Sequence, residues 1–274
     1  MLQRYTKRTF VLEIVMMGTA LVWAVPAYLL VNYSFRATDD QASPLALPTT
    51  LTFDNYFEAW REAGLGSALT NTVIITVASL FFIVIFATLA AYPLARSTRM
   101  WSTAAFYFFM LGLLLPPQLA LIPLYSTMLD LGLLGTRSAL VIFYTGLMMP
   151  ISIFLYTNFL RAVPLAYEEA ASIDGASSFQ TLWKVIFPLL RPVTGTVVIL
   201  DAIFIWNDFL TPLLWLSGSG EETIAVAVFS FAGQYVTWWN LIFAGLVISM
   251  APILITYFAL QRTVIKGFAT GIHG

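Results

Sequence analysis

The chain of 274 residues contains no cysteine, so it can form no disulfide, no thiolate metal site and no cysteine nucleophile. It is also poor in charge, because Asp, Glu, Lys and Arg make up 10% of its residues, whereas a soluble domain averages about 25%. So few charges cannot cover a surface that faces water, and we therefore expect much of the chain to face lipid. A net charge of -1 argues against nucleic acid as a partner. His273 is the only histidine, and one histidine supplies too few ligands for a metal site, so we predict no metal site.

What the chain has instead is long hydrophobic runs. Six of them are long enough to cross roughly 30 Å of hydrocarbon as helices of about 20 residues. They cover approximately residues 10–32, 69–92, 103–125, 138–160, 193–215 and 240–260. The sequence thus predicts an all-α integral membrane protein with a single transmembrane domain over residues 1–274. The first run is longer than the apolar core of a signal peptide, so we expect an uncleaved first span.

The distribution of Lys and Arg predicts the orientation. With the N-terminus in the cytoplasm, ten of the 13 basic residues lie inside, and Arg36, Arg61 and Arg137 lie outside. Because basic residues favour cytoplasmic loops, we expect both termini and the segment of residues 161–192 on the cytoplasmic side.

Three segments are then expected outside. The first, residues 33–68, carries aromatic residues at helical spacing among acidic ones, which predicts a short amphipathic helix at the membrane surface: Phe53, Tyr56, Phe57 and Trp60. The second, residues 126–137, predicts a glycine-containing turn. The third, residues 216–239, begins with a flexible tip at Ser217-Gly218-Ser219-Gly220.

Several predicted spans contain proline: Pro26, Pro116, Pro117, Pro150 and Pro252. Proline is tolerated in a membrane bundle when neighbouring groups satisfy the freed carbonyls. These prolines fit either hinges of a moving bundle or static kinks, and the sequence leaves both open.

Residues 161–192 form a long polar segment between two apolar runs. Pro164 suits the first turn of a helix, Gly175 predicts a bend, and Ser177 with Gln180 fits a capping box. The residues that follow share one apolar face by their i, i+3, i+4, i+7 spacing: Phe179, Leu182, Trp183 and Ile186. Pro188 and Pro192 are expected to end this helix. The segment thus predicts a helix, a glycine bend and an amphipathic helix.

An amphipathic helix here could lie on lipid or on a protein. Between Phe179 and Pro188 only Lys184 is basic, and acidic residues precede the helix. Acidic residues disfavour an anionic inner leaflet, so a protein partner explains the segment better.

The motif Glu169-Ala170-Ala171, followed by Asp174-Gly175-Ala176 and by Phe187-Pro188, resembles the EAA loop of membrane subunits of ATP-binding cassette (ABC) importers. The resemblance implies a type I ABC importer permease fold of six transmembrane helices, with a cytoplasmic coupling loop at 161–192 that sits in a groove of the ATPase. It assigns the ATPase contact to Glu169, Ala170, Ala171, Asp174, Gly175, Ala176, Phe179 and Pro188.

Other stretches are similar to the carbohydrate branch of these permeases: Trp206-Asn207-Asp208, Phe231 to Tyr235, Gln261-Arg262 and Lys266-Gly267. Two positions depart from that branch, since Asp208 replaces the more common Glu and His273 the more common Lys. The resemblance implies a permease subunit of a binding-protein-dependent importer in a prokaryotic cytoplasmic membrane. Its substrate would be a carbohydrate, either an oligosaccharide or a related polyol or glycerol phosphate.

The chain carries no G-x-x-x-x-G-K-[ST] motif, so ATP and magnesium would bind to another chain. The resemblance implies four partners: an ATPase dimer, a second permease subunit that completes a heterodimeric pore, an extracytoplasmic sugar-binding protein and the lipid bilayer. The chain itself is expected to bind no cofactor and to catalyse no reaction.

Polar residues in or near the fifth run need a partner, because a carboxylate in hydrocarbon costs about 2.5–3.5 kcal/mol. Asp201 and Asp208 are seven residues apart and are expected on one helical face. That face fits either a polar lining of the sugar path or hydrogen bonds between helices, and Asn207 and Asp208 are the candidates for the path. Gly218, Ser219 and Gly220 are candidates for contact with the binding protein.

Two other functions were weighed. An ion-coupled secondary transporter would require inverted repeats and buried ion ligands, and no repeat is visible. A membrane enzyme would require a catalytic motif, and neither H-E-x-x-H nor G-x-S-x-G occurs.

Overall fold

The computed structural model describes the backbone of residues 6–40, 42–233 and 238–271, with the side chains of its last helix described up to Ile255 and at Phe258. The described part is mostly helical, and an isolated antiparallel bridge joins Arg36 to Leu51. Its first helices are α1 (Lys7–Ser34), α2 (Asp54–Glu62), α3 (Leu65–Arg96), α4 (Met100–Leu111), α5 (Leu121–Asp130) and α6 (Arg137–Ala162). Then follow α7 (Ala166–Ile173), α8 (Ser178–Gln180), α9 (Phe187–Leu189), α10 (Arg191–Asn207), α11 (Leu210–Leu216), α12 (Ile224–Phe229) and α13 (Trp239–Gly271).

An apolar helix stands at each predicted span. Among the described residues, α1, α3 and α6 are each long and apolar enough to cross a membrane. A fourth candidate is the pair Ser178–Leu189 and Arg191–Asn207, which is bent by 77°. The segments Met100–Leu111 and Trp239–Ile255 are apolar but shorter. The order of the spans agrees with the sequence, and their number, six, stays a prediction.

The third predicted span, residues 103–125, is not one helix. α4 ends at Leu111, and a 3-10 turn (Pro117–Ala120) precedes α5. Pro116 and Pro117 explain the break, because proline lacks an N–H and disfavours helical geometry in the residue before it.

The fifth predicted span, residues 193–215, is also interrupted. α10 ends at Asn207, and Asp208 is extended with ψ 125°. The Asp208 carboxylate accepts hydrogen bonds from the backbone N–H of Leu210 at 3.1 Å and of Thr211 at 3.4 Å, so it caps α11. Asp201 and Asp208 nevertheless both lie towards α6, where they accept hydrogen bonds from Ser152 and Tyr144, so they share one side as the seven-residue spacing predicts.

The chain divides into two compact units. The first comprises Met1–Gly66 and Ala227–Pro252, and the second Ser67–Val226 and Ile253–Gly274. In the first unit, α2 confirms the helix predicted around Trp60. It buries Asn55 and Ala59 and leaves Phe57 and Trp60 exposed.

The core of the second unit lies around α6. Leu140, Tyr156 and Leu160 are fully buried there, and Phe143 packs edge-on against Trp215 of α11 with ring centroids 5.1 Å apart. α10 contributes Val193, Val197 and Ile205 to the same core. The loop of residues 161–192 therefore lies between two helices that pack on each other.

Candidate functional site

The first half of the EAA segment is a helix closed by a glycine. α7 ends at Ile173, and Gly175 follows with φ +79°. The N–H of Ala176 donates to the Ala171 carbonyl at 2.9 Å, and the N–H of Gly175 to the Ser172 carbonyl at 3.1 Å. This pair of bonds is a Schellman motif, whose left-handed residue is usually glycine. The predicted bend at Gly175 is present, whereas Pro164 lies before the N-cap residue Leu165 and not in the helix.

The second half is a helical segment over residues 178–189. It begins with the predicted capping box, in which the Gln180 N–H donates to Ser177 Oγ at 3.3 Å and the Ser177 N–H donates to Gln180 Oε1 at 2.9 Å. A π-helical stretch, Thr181–Ile186, joins α8 to α9. Pro188 lies within α9, which ends at Leu189, and Pro192 lies in the first turn of α10. The two helical segments meet at a bend of 77°, so the helix ends between the two prolines, as predicted. The wider π turn before Pro188 is the kind of local adjustment that accommodates a proline inside a helix.

The predicted apolar face of this helix is divided in two. Leu182 and Ile186 are buried, whereas Phe179 is 66% exposed. The physical reason is the π turn, because its i→i+5 hydrogen bonds shift the register on which the i, i+3, i+4, i+7 spacing depends. Phe179 still contacts Trp183, with ring centroids 6.2 Å apart.

The EAA residues themselves are mostly accessible. Glu169, Ala170, Asp174 and Gly175 are exposed, as are Phe179 and Pro188, while Ala176 is half-buried. Ala171 is buried. Four exposed apolar residues extend this surface: Leu165, Tyr167, Ile173 and Phe179. We call this set, together with Glu169 and Asp174, the loop surface.

A half-buried ion pair joins α3 to α7. Arg96 Nε donates to Glu168 Oε1 at 2.6 Å, and the two side chains are only 15% and 17% exposed. Arg96 also donates to the Val163 carbonyl at 3.0 Å, and the Tyr92 hydroxyl donates to Glu168 Oε2 at 3.0 Å. Sequence reasoning missed this pair because its members lie 72 residues apart, and nothing local to either position indicates the other.

Polar side chains also join α6 to α10. Ser152 Oγ donates to Asp201 Oδ2 at 2.8 Å, and Tyr156 is hydrogen-bonded to Thr194 at 3.0 Å. The Tyr144 hydroxyl donates to Asp208 Oδ2 at 3.0 Å. Asp201 thus takes the interhelical hydrogen bond that the sequence allowed.

The two candidates for the sugar path differ in their surroundings. Both carboxylate oxygens of Asp208 have hydrogen-bond partners, from Tyr144 and from the start of α11. Asn207 is exposed, and its amide donates to the Ile203 carbonyl at 2.7 Å.

The tip around Gly218 is a hydrogen-bonded turn. Gly218 and Gly220 both have φ +78°, and Glu222 Oε1 accepts the N–H of Gly218 at 2.8 Å. Arg137, at the start of α6, pairs with Glu221 at 3.0 Å. Gly218, Ser219 and Gly220 are all exposed.

In the described part of the chain, no group of three or more metal-ligating side chains could hold an ion. Two positions named in the comparison with the carbohydrate branch, Tyr235 and His273, lie outside the described residues.

Relatives of known description share nearly the whole chain. The melibiose/raffinose/stachyose import permease protein MelC of Bacillus subtilis is 34% identical over 267 residues, which is 97% of each chain. The probable starch degradation products transport system permease protein AmyC of Thermoanaerobacterium thermosulfurigenes is 38% identical over 253 residues, 92% of each chain. The multiple sugar-binding transport system permease protein MsmG of Streptococcus mutans is 34% identical over 252 residues, 90% of each.

The fold agrees with a solved structure. A chain from the crystal structure of a bacterial ABC transporter involved in the import of the acidic polysaccharide alginate superposes with a TM-score of 0.81. It is 24% identical, and the match covers 94% of this chain and 98% of that one. The model of the family described as binding-protein-dependent transport system inner membrane component matches residues 83–269. From these matches, the chain is a member of the binding-protein-dependent transport system inner membrane component family.

Proposed function

We propose that the chain is the permease subunit of an ATP-driven, binding-protein-dependent importer of a carbohydrate. Family membership supports the transport role, and the similarity to MelC, AmyC and MsmG, which are described as permeases for saccharides, supports a saccharide as the substrate. The chain performs no chemistry in this proposal, because ATP is hydrolysed on a partner subunit.

The observation that carries the proposal is the loop surface. Ile173 is 86% exposed and Phe179 is 66% exposed, so neither side chain packs into the apolar core of its own chain. The Schellman turn at Gly175 and the capping box at Ser177 hold the two helices that present them. Exposed apolar residues on a hydrogen-bonded frame, next to Glu169 and Asp174, are typical of a surface that binds a protein partner.

The mechanism follows from the connections of this loop. ATP-driven closure of an ATPase dimer would move the loop surface, and the Arg96–Glu168 pair would pass the movement to α3. α6 and α10, which flank the loop and are joined by the Asp201 and Asp208 hydrogen bonds, would move with it. Discrete rearrangement of such packed helices produces alternating access to a central path.

The partners implied are an ATPase dimer, a second permease subunit and an extracytoplasmic binding protein. One helical bundle of this size encloses half of a pore. The central part of α1 is not buried against the rest of the described chain, and this supports coverage by lipid or by the second subunit. We also propose that the chain lies in a prokaryotic inner membrane with both termini in the cytoplasm. The contact with the binding protein is proposed at Gly218, Ser219 and Gly220.

An ion-coupled secondary transporter is the other candidate function. Family membership disfavours it, and the exposed loop surface would have no role in it. No observation supports it independently.

Purification of the tagged chain from its host in detergent tests the proposal. We expect recovery of an ATPase and a second permease, with hydrolysis stimulated by the loaded binding protein. Ile173→Asp should lose the ATPase, because a charge enters an apolar contact, whereas the control Ile173→Leu should retain it. Recovery of the unaltered chain without any ATPase would contradict the proposal.

A further inference from the structure

A small cavity lies in the first unit, beside the end of α1 and the start of α13. Its volume is about 290 Å³. Its walls include three aromatic side chains, Tyr33, Trp238 and Trp239, and the polar side chains of Thr38, Asp40 and Asn240. The volume is close to the lower end for small-molecule sites, about 300 Å³. No role described above uses this cavity.

The floor of the cavity is held by a buried arginine. Arg36 is 2% exposed and lies over the Tyr33 ring at 5.0 Å. Its Nε donates to Asn32 Oδ1, its Nη1 to the Ala42 carbonyl, and its Nη2 to the carbonyls of Ser43 and Ala46. The segment of residues 42–46 is therefore fixed against α1, and the cavity is formed before any ligand arrives.

The opposite wall is fixed as well. Asn240 donates to Thr38 Oγ1 at 3.0 Å and to Asn55 Oδ1 at 2.8 Å, and Asn55 in turn donates to the carbonyls of Ser34 and Arg36. Trp239 packs on Phe243 with ring centroids 6.2 Å apart.

The lining favours a ring that carries both C–H faces and hydroxyls. The exposed indole rings of Trp238 and Trp239 can pack against the apolar face of a ring, and the Asp40 carboxylate and the Thr38 hydroxyl can accept hydrogen bonds from O–H groups. Saccharides combine these two properties in one small molecule.

The charges disfavour an anion. A guanidinium has five N–H donors, and four of those of Arg36 already serve Asn32 and three carbonyls. The backbone N–H groups of Thr49 and Ala42, with the positive charge of Arg36 as a lesser cause, hold the pKa of Asp40 below its ordinary value of 3.8. Asp40 is therefore a carboxylate at neutral pH, and it would repel a phosphate in the same cavity.

We propose that the cavity lined by Tyr33, Thr38, Asp40, Trp238, Trp239 and Asn240 is a binding site for one ring of a neutral saccharide. The inference rests on the proposed function, since a saccharide reaches this cavity as the transported solute. It also selects among substrates, because it favours a neutral sugar over a phosphorylated polyol or glycerol. On the proposed orientation the site faces the compartment of the binding protein and would hold the sugar before it enters the bundle.

The test measures saccharide binding to the intact importer complex in lipid nanodiscs, without binding protein, by isothermal titration calorimetry. The nanodiscs must be free of maltoside detergent and glycolipid, whose sugar heads would compete. The probes are raffinose, maltotriose and glycerol 3-phosphate. We expect one of the two sugars to bind and glycerol 3-phosphate not to bind.

Substitutions of one tryptophan separate ring stacking from membrane anchoring. Trp239→Leu keeps an apolar side chain at the membrane interface but removes the ring, and we expect binding to weaken about tenfold or more. Trp239→Phe should restore most of it. Trp101→Leu, which changes an exposed tryptophan of α4, is the control and should bind as the unaltered complex does.

Three results would overturn the site: no binding of either sugar, binding that Trp239→Leu leaves unchanged, or preferential binding of glycerol 3-phosphate. ATP hydrolysis stimulated by the loaded binding protein is measured on the same sample. If stimulation is present and sugar binding is absent, the site is wrong and the importer assignment stands. If stimulation is absent as well, the importer assignment fails with it.

Discussion

Gly175 is the residue on which the shape of the loop depends most directly. Its φ of +79° is unfavourable for any residue with a Cβ, and a side chain there would meet no other heavy atom within 4 Å. Substitution therefore acts through the backbone alone, at a cost of about 1–2 kcal/mol for a left-handed conformation.

We expect Gly175→Ala to lower sugar uptake by about tenfold, because a loop strained by that amount would present the loop surface in a different geometry. Uptake of labelled sugar by cells with equal amounts of inserted protein measures this. Gly132→Ala is a matched control, since Gly132 has φ +67° and equally open surroundings outside the loop. Equal losses in both variants would mean that the effect is not specific to the loop.

Asp208 is a structural residue whatever its role in the sugar path. Asp208→Ala removes the acceptor of the Tyr144 hydroxyl and the cap of α11. Loss of an N-cap costs about 0.5–2 kcal/mol, so we expect a lower thermal unfolding temperature in detergent. Asp208→Asn, which retains an acceptor oxygen, should lose less, and Asp130→Ala at an exposed position should lose nothing. If Asp208→Asn unfolds as early as Asp208→Ala, the negative charge and not the cap is the important property.

Among elements, α3 and α7 are linked through Glu168, which pairs with Arg96 and accepts a hydrogen bond from Tyr92. Breaking a hydrogen bond to a charged group costs about 1.5–3 kcal/mol, and the loss falls where the loop joins the bundle. We expect Arg96→Glu and Glu168→Arg each to reduce uptake per ATP hydrolysed, because the loop would still contact the ATPase but move α3 less. The double variant, which restores opposite charges, should recover a substantial part of the coupling.

The control for this exchange is the exposed pair of Arg61 and Glu62, whose side chains are 80% and 54% exposed. Arg61→Glu should leave transport and hydrolysis unchanged, because exposed pairs contribute little. A double variant at Arg96 and Glu168 that is no better than either single one would contradict a role for the pair itself.

How well an element could be predicted depended on how local its cause is. The Schellman turn at Gly175 and the capping box at Ser177 were predicted because each is completed within a few residues of sequence. The exposure of Phe179 was not, since it depends on the π turn that follows it and on which side chains, here Leu182 and Ile186, pack inward. The breaks at Pro116 and Asp208 were missed because hydropathy over a long window averages across a short interruption.

For the whole molecule, the proposed orientation can be tested with the help of the missing cysteine. A chain without cysteine gives no background, so single substitutions at exposed serines can be labelled with an impermeant maleimide. We expect Ser217→Cys, in the tip segment, to react in intact cells and Ser172→Cys, in α7, to react only after permeabilisation. The reverse pattern would invert the topology and place the loop surface outside.

Sequence by itself determined that the chain is a membrane protein of helices, and it predicts an EAA loop at residues 161–192. Low charge, long apolar runs and a motif of eight consecutive residues are properties of composition and short spacing, and they need no tertiary information. They also led to the transport family, which the relatives confirm.

Only the tertiary structure decided how the loop of residues 161–192 is joined to α3 and which residues line the cavity that we propose as a saccharide site. Arg96 meets Glu168 across 72 positions, and the cavity beside Trp239 combines the end of α1 with the start of α13, about 200 residues later. Pairings over such distances depend on which helix faces pack together. Hydropathy and local propensity do not discriminate between alternative arrangements of the same helices. The polar contacts of Arg36, Arg96 and Asp201 belong to the arrangement that the structure has.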